Sequence, residues 1–341
     1  MDKKQTTLKD IASKLNVSIS TVSRALQGNP RISIQTREKV LELAKEYNYF
    51  QTKHINPFAK KKIQAVGVIV PSIKYHLYAM AISGIEEILE KHQMQIIICQ
   101  SNESYEREKI LVKELLDIGV SGLIVSLASE TKEFDHFLEA KKRKIPLVFF
   151  NRLCDEVESD KVIIDNFKAA YDATQHLISV GCKRIAYIGG PKILQISSTR
   201  LLGYKKALVD ANLPVEEKII ESTNFTREGN LSTARKLLYS PEHPDGVLAF
   251  SDQVAIGVML AAKERGLKMA EDLAIIGFNN EPIDELLEPS LTSIDQPSYQ
   301  MGVESAKLII GRIENFEKEV SRKVLKSELV IRNSTNKNKA L

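Results

Sequence analysis

Four side chains between residues 19 and 24 have the chemistry and the spacing to read the edges of DNA bases. They are Ile19, Ser20, Ser23 and Arg24, and they share one outward face if the segment is helical. Arginine can donate two hydrogen bonds to a guanine edge, serine can bond either base type, and isoleucine can rest on a thymine methyl group. A face this small fits a major groove about 12 Å wide. For the spacing alone, two ordinary helices of a small bundle are the alternative.

A pair of short helices joined by a tight turn is predicted to position this face. The first helix opens at Thr7, and Asp10, three residues later, complements its N-terminus. Apolar residues then recur at positions 8, 11, 12 and 15, and the pattern breaks at residues 16–17. Ser18 caps the second helix, which buries positions 22, 25 and 26 and ends at Gly28.

A third helix is predicted over residues 33–49, beginning at Ser33. It packs on the first two through Val40, Leu41, Ala44 and Tyr47. Residues 1–50 are therefore predicted to form an all-α helix-turn-helix headpiece.

The charge of the chain is concentrated at the same end. Residues 1–62 contain 13 lysines and arginines against five acidic residues, whereas the remainder contains 35 against 39. A basic segment that coincides with a helix pair predicts binding to a polyanion that weakens with salt. A solvated basic tail would not explain the coincidence.

The segments TLKDIA and NVSISTVSRAL resemble the N-terminal signature of the LacI/GalR family of bacterial transcription regulators. The resemblance implies that Ile19 and Ser20 occupy the variable base-reading positions of the family and that Arg24 is its fixed arginine. It also implies phosphate contacts from the hydroxyl-bearing residues Thr7, Ser18, Thr21, Ser23 and Thr36. Further DNA contacts are expected from Arg31, Ser33 and Tyr49.

Residues 51–63 are basic and weakly periodic, which predicts a linker. In the LacI/GalR family this stretch forms a hinge helix on DNA and inserts a leucine between base pairs, and the family's spacing puts Phe58 at that position. Two departures bear on the hinge: Gln51-Thr52 replaces the usual Pro-Asn, and Pro57 directly precedes Phe58. The hinge helix is then shorter, or begins at Asn56 with proline as its first residue. A plain flexible linker is the alternative.

From residue 65 onward, short apolar strands alternate with amphipathic helices. Predicted strands cover residues 65–70, 95–99, 122–126, 146–150, 161–165, 184–189, 246–250 and 274–278. Predicted helices cover residues 79–92, 106–118, 166–180, 199–211, 227–239 and 253–265. The alternation predicts parallel sheets covered by helices on both faces, and eight such units favour two lobes with a cleft between them.

The family resemblance extends over nearly the whole chain, through KRIAYIGGP, RLLGYKKAL, GVLAFSDQVAIG, DLAIIGFNN and PSLTSIDQPSYQMG. It implies an α/β effector domain of the type I periplasmic-binding-protein kind over residues 64–335, with crossings between the lobes near Ile164, Ser293 and Arg322. Lobe one would span about 64–163 and 294–322, and lobe two about 164–293 and 323–333. The polar tail lacks leucine heptads, so a homodimer is expected.

Ligands of open α/β sheets lie beyond the carboxyl ends of the strands. The candidates that follow predicted strands are residues 72–78, Ser101, Asn102, Asn151, Arg152, Asp165, Ser251, Asp252, Asn279 and Asn280. Arg200, at the start of a predicted helix, is a further candidate. Effector binding is expected above all from Ser72, Tyr75, Tyr78, Asn151, Arg200, Ser251 and Asn279. By resemblance, Arg200 opens a helix and is the fixed arginine that grips ligand hydroxyls or carboxylates. Asn279 replaces the usual aspartate, which keeps hydrogen bonding and loses the negative charge. Tyr75 and Tyr78 either stack on the ligand or pack at the cleft rim.

A sugar or sugar derivative is the first expectation for the ligand, and the absence of tryptophan excludes a tryptophan-stacked pyranose. A nucleobase, an amino acid derivative and a charged metabolite are the alternatives.

Other classes of protein lack their sequence signatures. Gly-x-Ser-x-Gly, Walker, His-Glu-x-x-His and Cys-x-x-Cys motifs are absent and the six histidines are scattered, so no enzyme, metal site or cofactor is expected. Cys99, Cys154 and Cys182 are expected to be reduced core thiols. No run of about 18 apolar residues and no secretion signal is found, which predicts a cytoplasmic protein with no membrane partner. A solute-binding protein would need that signal and would have no use for residues 1–50.

These features predict a dimeric repressor that binds a near-palindromic double-stranded DNA operator. A small-molecule effector in the cleft would change lobe closure and release the DNA. The alternative within the same family is a co-repressor or a phosphoprotein that tightens the complex.

Overall fold

The computed structural model describes residues 7–26, 29, 31–47 and 64–336. The chain divides into two compact units, Met1–Ile63 and Gln64–Leu341. Gly28, Tyr49 and the predicted hinge with Pro57 and Phe58 lie outside the described residues.

In the first unit, the described residues form three helices: α1 (Leu8–Leu15), α2 (Ile19–Leu26) and α3 (Ile34–Glu46). Asn16 adopts the left-handed conformation, with φ of 52°, and ends α1 where the apolar pattern breaks. The fully buried side chains of the unit are Ile11, Val22, Ala25 and Val40. Leu41 was predicted to join this core, but its side chain is 46% exposed, and Leu43 packs there instead. The prediction placed Leu41 one position away from the buried stripe of α3.

The second unit contains twelve strands, and their bounds are β1 (Ala65–Val70), β2 (Gln95–Gln100), β3 (Gly122–Val125), β4 (Leu147–Phe150), β5 (Asp160–Ile164), β6 (Ile185–Gly189), β7 (Ile220–Ser222), β8 (Gly246–Ala249), β9 (Ala274–Phe278), β10 (Thr292–Asp295), β11 (Arg322–Leu325) and β12 (Glu328–Val330). They form two six-stranded sheets, ordered β11-β5-β4-β3-β1-β2 and β12-β10-β9-β8-β6-β7. All neighbouring strands are parallel except β10 and β12, which pair antiparallel.

Eight helices accompany the sheets: α4 (His76–Lys91), α5 (Tyr105–Ile118), α6 (Asp135–Lys142), α7 (Asn166–Ser179), α8 (Gln195–Asp210), α9 (Arg227–Leu238), α10 (Asp252–Arg265) and α11 (Ser298–Glu314). Among the described residues, none of the helices is both long and apolar enough to cross a membrane. The central strands are buried on both faces, since β3, β4, β6, β8 and β9 consist entirely of buried residues. The apolar runs thus become sheet cores covered by helices.

The chain passes between the two sheets three times. The passages follow β5 at Ile164, β10 at Asp295 and β11 at Leu325. The second and third passages therefore come a few residues later than the predicted positions Ser293 and Arg322. The difference arises because Thr292–Asp295 and Arg322–Leu325 are strands that complete their sheets before the chain leaves.

A matching pair of helices packs closely in each lobe. In lobe one, a Cβ atom at Gly84 of α4 would lie 2.2 Å from the Tyr299 carbonyl oxygen of α11. In lobe two, a Cβ atom at Gly203 of α8 would lie 2.2 Å from the Phe167 carbonyl oxygen of α7. Both lobes therefore require glycine at one helix contact, which is consistent with their shared architecture.

Candidate nucleic-acid interface and ligand cleft

The outward face of α2 is the one that the sequence predicted. Ser20 and Arg24 are exposed, and the Ile19 side chain is 49% exposed. Val22 and Ala25, on the opposite side of the same helix, are fully buried. The helix can therefore present an aliphatic group, a hydroxyl and a guanidinium to a groove while its other face holds the headpiece together.

Helices α2 and α3 begin with the same capping arrangement. Ser18 Oγ accepts a hydrogen bond from the Thr21 backbone N–H at 3.1 Å, and Ser33 Oγ accepts one from the Thr36 N–H at 3.2 Å. Each serine also shares a hydroxyl–hydroxyl bond with its threonine, at 2.8 and 2.7 Å. Two helix N-termini rich in hydroxyl groups are suited to phosphate oxygens.

The remaining predicted DNA contacts in the described residues have different surroundings. Thr7 donates both its backbone N–H and its hydroxyl to the Asp10 carboxylate, at 2.8 and 2.7 Å. Arg31 is exposed, and its backbone N–H is held by the Asn29 side chain at 3.0 Å. Ser23 is half-buried.

A cleft of about 560 Å³, open to solvent, lies between the two lobes of the second unit. Six of the seven predicted effector residues line it: Tyr75, Tyr78, Asn151, Arg200, Ser251 and Asn279. Ser72 does not line it, because the chain turns away between β1 and α4 and the cleft is reached only at Tyr75.

Helix α8 begins at Gln195, so Arg200 lies in its second turn and does not open the helix as predicted. Its side chain is buried. Its Nε donates to Asn166 Oδ1 at 2.8 Å and its Nη1 to the Phe250 carbonyl oxygen at 2.7 Å. The guanidinium lies 3.7 Å from the ring centroid of Phe278. Burial lowers the pKa of Arg200 to about 10. Within the described residues no acidic side chain forms an ion pair with it, so its charge is available to a ligand.

Tyr78 and Asn151 form a polar corner on the lobe-one side. The Tyr78 hydroxyl accepts hydrogen bonds from Asn151 Nδ2 and Ser126 Oγ, both at 3.3 Å, and its ring packs edge-on against Phe150. Burial raises the pKa of Tyr78. Asn151 reaches this corner from a left-handed turn, with φ of 58°. Tyr78 is thus mainly a packed residue whose hydroxyl borders the cleft.

An arginine–glutamate pair stands beside that corner. Arg152 donates to both carboxylate oxygens of Glu103, at 2.7 and 3.1 Å, and its guanidinium lies 5.4 Å from the ring centroid of Phe225 in lobe two. Gln195 of lobe two donates to Asp155 of lobe one at 2.6 Å. These two contacts join the lobes at the cleft.

The lobe-two floor is formed by amides and a carboxylate. Gln296 Nε2 donates to Asn279 Oδ1 at 2.6 Å, and Gln253 Nε2 donates to Glu281 Oε2 at 3.2 Å. Gln296 Oε1 and Glu281 Oε1 are buried and have no hydrogen-bond partner within the described part of the chain. The floor therefore offers acceptors to a ligand that carries donors.

Family models match both units of the chain. The model described as "Bacterial regulatory proteins, lacI family" matches residues 7–51, and "Periplasmic binding protein-like domain" matches residues 174–335. Catabolite control protein A of Priestia megaterium is 35% identical over 304 residues, which are 89% of this chain and 91% of the relative. The chain belongs to the LacI family. It is a DNA-binding transcription regulator with a helix-turn-helix headpiece and a two-lobed periplasmic-binding-protein-like domain.

Two further LacI-family proteins show how far the likeness extends. The HTH-type transcriptional repressor CytR of Escherichia coli is 33% identical over 329 residues, which cover 96% of each chain. A solved LacI-family transcriptional regulator from Enterococcus faecium, with bound ribose, is 33% identical and has a TM-score of 0.72. The match covers 81% of this chain and 100% of the chain in that structure.

Several cleft residues of this LacI-family chain were not among the predicted sites. The main ones are Glu103, Phe225, Gln253, Glu281 and Gln296. Arg152, a candidate predicted because it lies two residues after the end of β4, does line the cleft. Phe225 follows β7, a strand of three residues that is too short for a pattern to indicate. Gln296 directly follows β10, which was not among the predicted strands.

Proposed function

We propose that this LacI-family regulator is a homodimeric repressor that leaves its operator when a small metabolite enters the inter-lobe cleft. The observation that carries the proposal is the fully buried Arg200, which points its charge at a cleft lined from both lobes. A ligand held by both lobes favours one degree of closure over another. It can bias DNA affinity only through that difference, and a coupling of about 1–3 kcal/mol is typical.

On the DNA side, Ile19, Ser20 and Arg24 would read bases in the major groove. Contacts to the DNA phosphates would come from Thr7, Ser18, Thr21, Ser23, Arg31, Ser33, Thr36 and Tyr49. Phe58 of the 51–63 hinge would enter the minor groove. Residues 1–50 would act as the headpiece and residues 64–335 as the effector domain. The exposure of the α2 face supports this division of roles.

An apolar edge supports a homodimer. Strand β2 is the outer strand of its sheet, and Ile98 on it is 46% exposed. An exposed edge with a large apolar side chain is a common site of protein association. Two headpieces joined in this way would reach major grooves about 34–36 Å apart.

The effector is proposed to be a sugar or sugar derivative, and the protein is proposed to act in the cytoplasm without catalysis. The support for the effector class is the set of amides, guanidinium and carboxylate groups in the cleft, together with the ribose in the Enterococcus faecium relative. Tyr75, Tyr78, Asn151, Arg200, Ser251 and Asn279 would hold it, with Asn166 and the Phe250 carbonyl positioning Arg200.

The test is operator affinity measured by fluorescence anisotropy, with and without a panel of sugars. The wild-type protein should lose about 5- to 150-fold in affinity with its effector. Arg200→Ala should bind operator as the wild type does and should not respond, because the guanidinium is the buried charge of the site. Arg235→Ala, which removes an exposed arginine paired with Glu264, is the control.

An unaltered response of Arg200→Ala would remove this residue from the effector site. Tighter operator binding with ligand would replace induction by co-repression. Circular dichroism is needed beside these measurements, since the truncation leaves Asn166 and a carbonyl oxygen without their partner.

A further inference from the structure

Glu281 is a buried carboxylate in the cleft with half of its hydrogen-bonding capacity unused. Its side chain lies in the inter-lobe cleft, and the residue is 9% exposed. Oε2 accepts one bond from the Gln253 amide, and Oε1 has no partner within the described part of the chain. In the same part of the chain it forms no ion pair. A carboxylate can accept about four hydrogen bonds, so Oε1 is an unsatisfied acceptor in a side chain that lines the cleft.

We propose that Glu281 selects the effector: it accepts hydrogen bonds from an uncharged polyhydroxyl compound and repels the phosphorylated form of the same compound. This proposal rests on the proposed function, because it names the ligand class of the same cleft.

Hydrogen bonds to α10 and β10 fix the backbone around Glu281. Its backbone N–H donates to Asp252 Oδ2 at 3.1 Å, and the other carboxylate oxygen of Asp252 accepts the Ser293 hydroxyl at 2.5 Å. Ser293 Oγ also accepts the Asn280 N–H at 3.0 Å. The segment after β9 is thereby tied to β10 and α10, so the carboxylate is preorganised toward the cleft.

The charges of the cleft favour a ligand without net charge. Four charged side chains line it: Glu103, Arg152, Arg200 and Glu281. Arg152 and Glu103 offset each other through their two hydrogen bonds. This leaves one buried cation, Arg200, and one buried anion, Glu281. Glu281 would repel a phosphate or carboxylate on the ligand, and Arg200 would repel an ammonium group.

Hydroxyl groups satisfy both residues because each can donate and accept. A polyhydroxyl ligand can accept from Arg200 while it donates to Glu281 Oε1. A further donor would satisfy Gln296 Oε1, the second unpaired acceptor of the floor. Asn279 carries a neutral amide, so it cannot form the charge-assisted hydrogen bond that an aspartate would form with a ligand hydroxyl. Glu281, two residues later, supplies a carboxylate on the lobe-two side of the cleft.

The experiment is calorimetric titration of the full-length protein with D-ribose, D-glucose, cellobiose and uridine, and with a phosphate ester of each. The wild type should bind at least one neutral compound and bind its ester at least 10-fold more weakly. Glu281→Gln should lower affinity for the neutral compound by about 10- to 100-fold, as expected for loss of hydrogen bonds to a charged group, and should narrow the discrimination against the ester.

Glu281→Asp should separate the two effects. It keeps the charge and withdraws it by one methylene, so sugar affinity should fall while rejection of the ester remains. Glu285→Gln is the matched control, because Glu285 lies four residues on, pairs with Arg332 and does not line the cleft. It should bind as the wild type does.

Equal sugar affinity of wild type and Glu281→Gln would overturn the proposal. So would a wild type that prefers a phosphate ester over its neutral compound, or that binds none of the neutral compounds. The same samples are tested for operator binding. Ligand binding without any change in operator affinity would count against the proposed function alone, whereas equal release of wild type and Glu281→Gln by one compound would count against Glu281 alone.

Discussion

Two arginines with the same charge have opposite surroundings in this protein. Arg24 is exposed on α2, whereas Arg200 is buried between aromatic rings and hydrogen-bonded to Asn166 and the Phe250 carbonyl oxygen. The exposed guanidinium can adapt to a base edge, and the buried one is held rigidly for a ligand. The two residues therefore belong to separate tests.

Arg24→Ala is expected to weaken operator binding by roughly 1–3 kcal/mol and to relax the preference at one base pair, because a bidentate contact to a base is lost. Fluorescence anisotropy on a set of operators with single base-pair changes measures both effects. Arg37→Ala, an exposed arginine of α3, is the control. An unchanged pattern of specificity in Arg24→Ala would assign Arg24 to phosphate contact or to structure.

Asp284 gives the protein a pH-dependent stability. It is fully buried, and burial raises its pKa to about 6. Its neighbours act on it in both directions: the pKa is also raised by Glu281 and lowered by Asp252 and Arg332. Asp252 is itself buried, and burial together with Asp284 raises its pKa well above the ordinary value.

Because of this raised pKa, Asp284 stabilises the folded protein more at low pH than at high pH. The folded protein holds the Asp284 proton more tightly than the unfolded chain, whose aspartate pKa is about 3.9. The stabilisation is therefore complete below about pH 4 and is lost as the pH rises through about 6. Asp284→Asn should raise Tm above pH 6 and change it little at pH 4, as measured by calorimetry. A gain in Tm that is the same at both pH values would contradict this assignment.

Residue-scale prediction from the sequence was best where a residue lies just after the carboxyl end of a buried strand. Asn151, Ser251 and Asn279 lie within two residues of the ends of β4, β8 and β9, and all three line the cleft. Glu281 was not predicted, because a carboxylate in a loop is ordinarily solvated and only the fold reveals that this one is buried. The reach of a side chain across the cleft, as for Arg152, also depends on the second lobe.

At the scale of elements, each lobe depends on a pair of helices in close contact. Gly203→Ala should destabilise the protein by about 1–3 kcal/mol, because the added methyl group would lie 2.2 Å from the Phe167 carbonyl oxygen and force α7 and α8 apart. Gly311→Ala is the matched control: its Cβ would meet only Lys318 Nζ, at 3.7 Å, so helix propensity should stabilise it by about 0.5–1 kcal/mol.

Urea denaturation of both variants makes the comparison. Destabilisation of Gly311→Ala as large as that of Gly203→Ala would mean that helix separation is not the cause.

The predicted elements were most accurate where strands are long and apolar. Ala65–Val70 and Ala274–Phe278 have the bounds that were predicted. Four strands were not predicted, because each is only three or four residues long and is stabilised by pairing with strands distant in sequence: Ile220–Ser222, Thr292–Asp295, Arg322–Leu325 and Glu328–Val330. Helix α8 begins at Gln195 rather than residue 199, since its first turn lacks an apolar pattern.

At the scale of the whole molecule, a basic headpiece is followed in the chain by a two-lobed domain whose lobes are connected by three chain passages. Ligand-induced closure would act on the contacts that already join the lobes, Gln195 with Asp155 and Arg152 with Phe225. Since residues 51–63 connect the headpiece to lobe one in the chain, we propose that movement of lobe one is the route by which ligand binding reaches the DNA.

The decisive measurement is selection of binding sites from a random duplex library, followed by affinity measurement at physiological salt. We expect that a near-palindromic sequence is enriched, that two protomers bind it, and that the protein binds it roughly a thousandfold or more tightly than random duplex. Equal affinity for the palindrome and for random DNA would contradict this expectation.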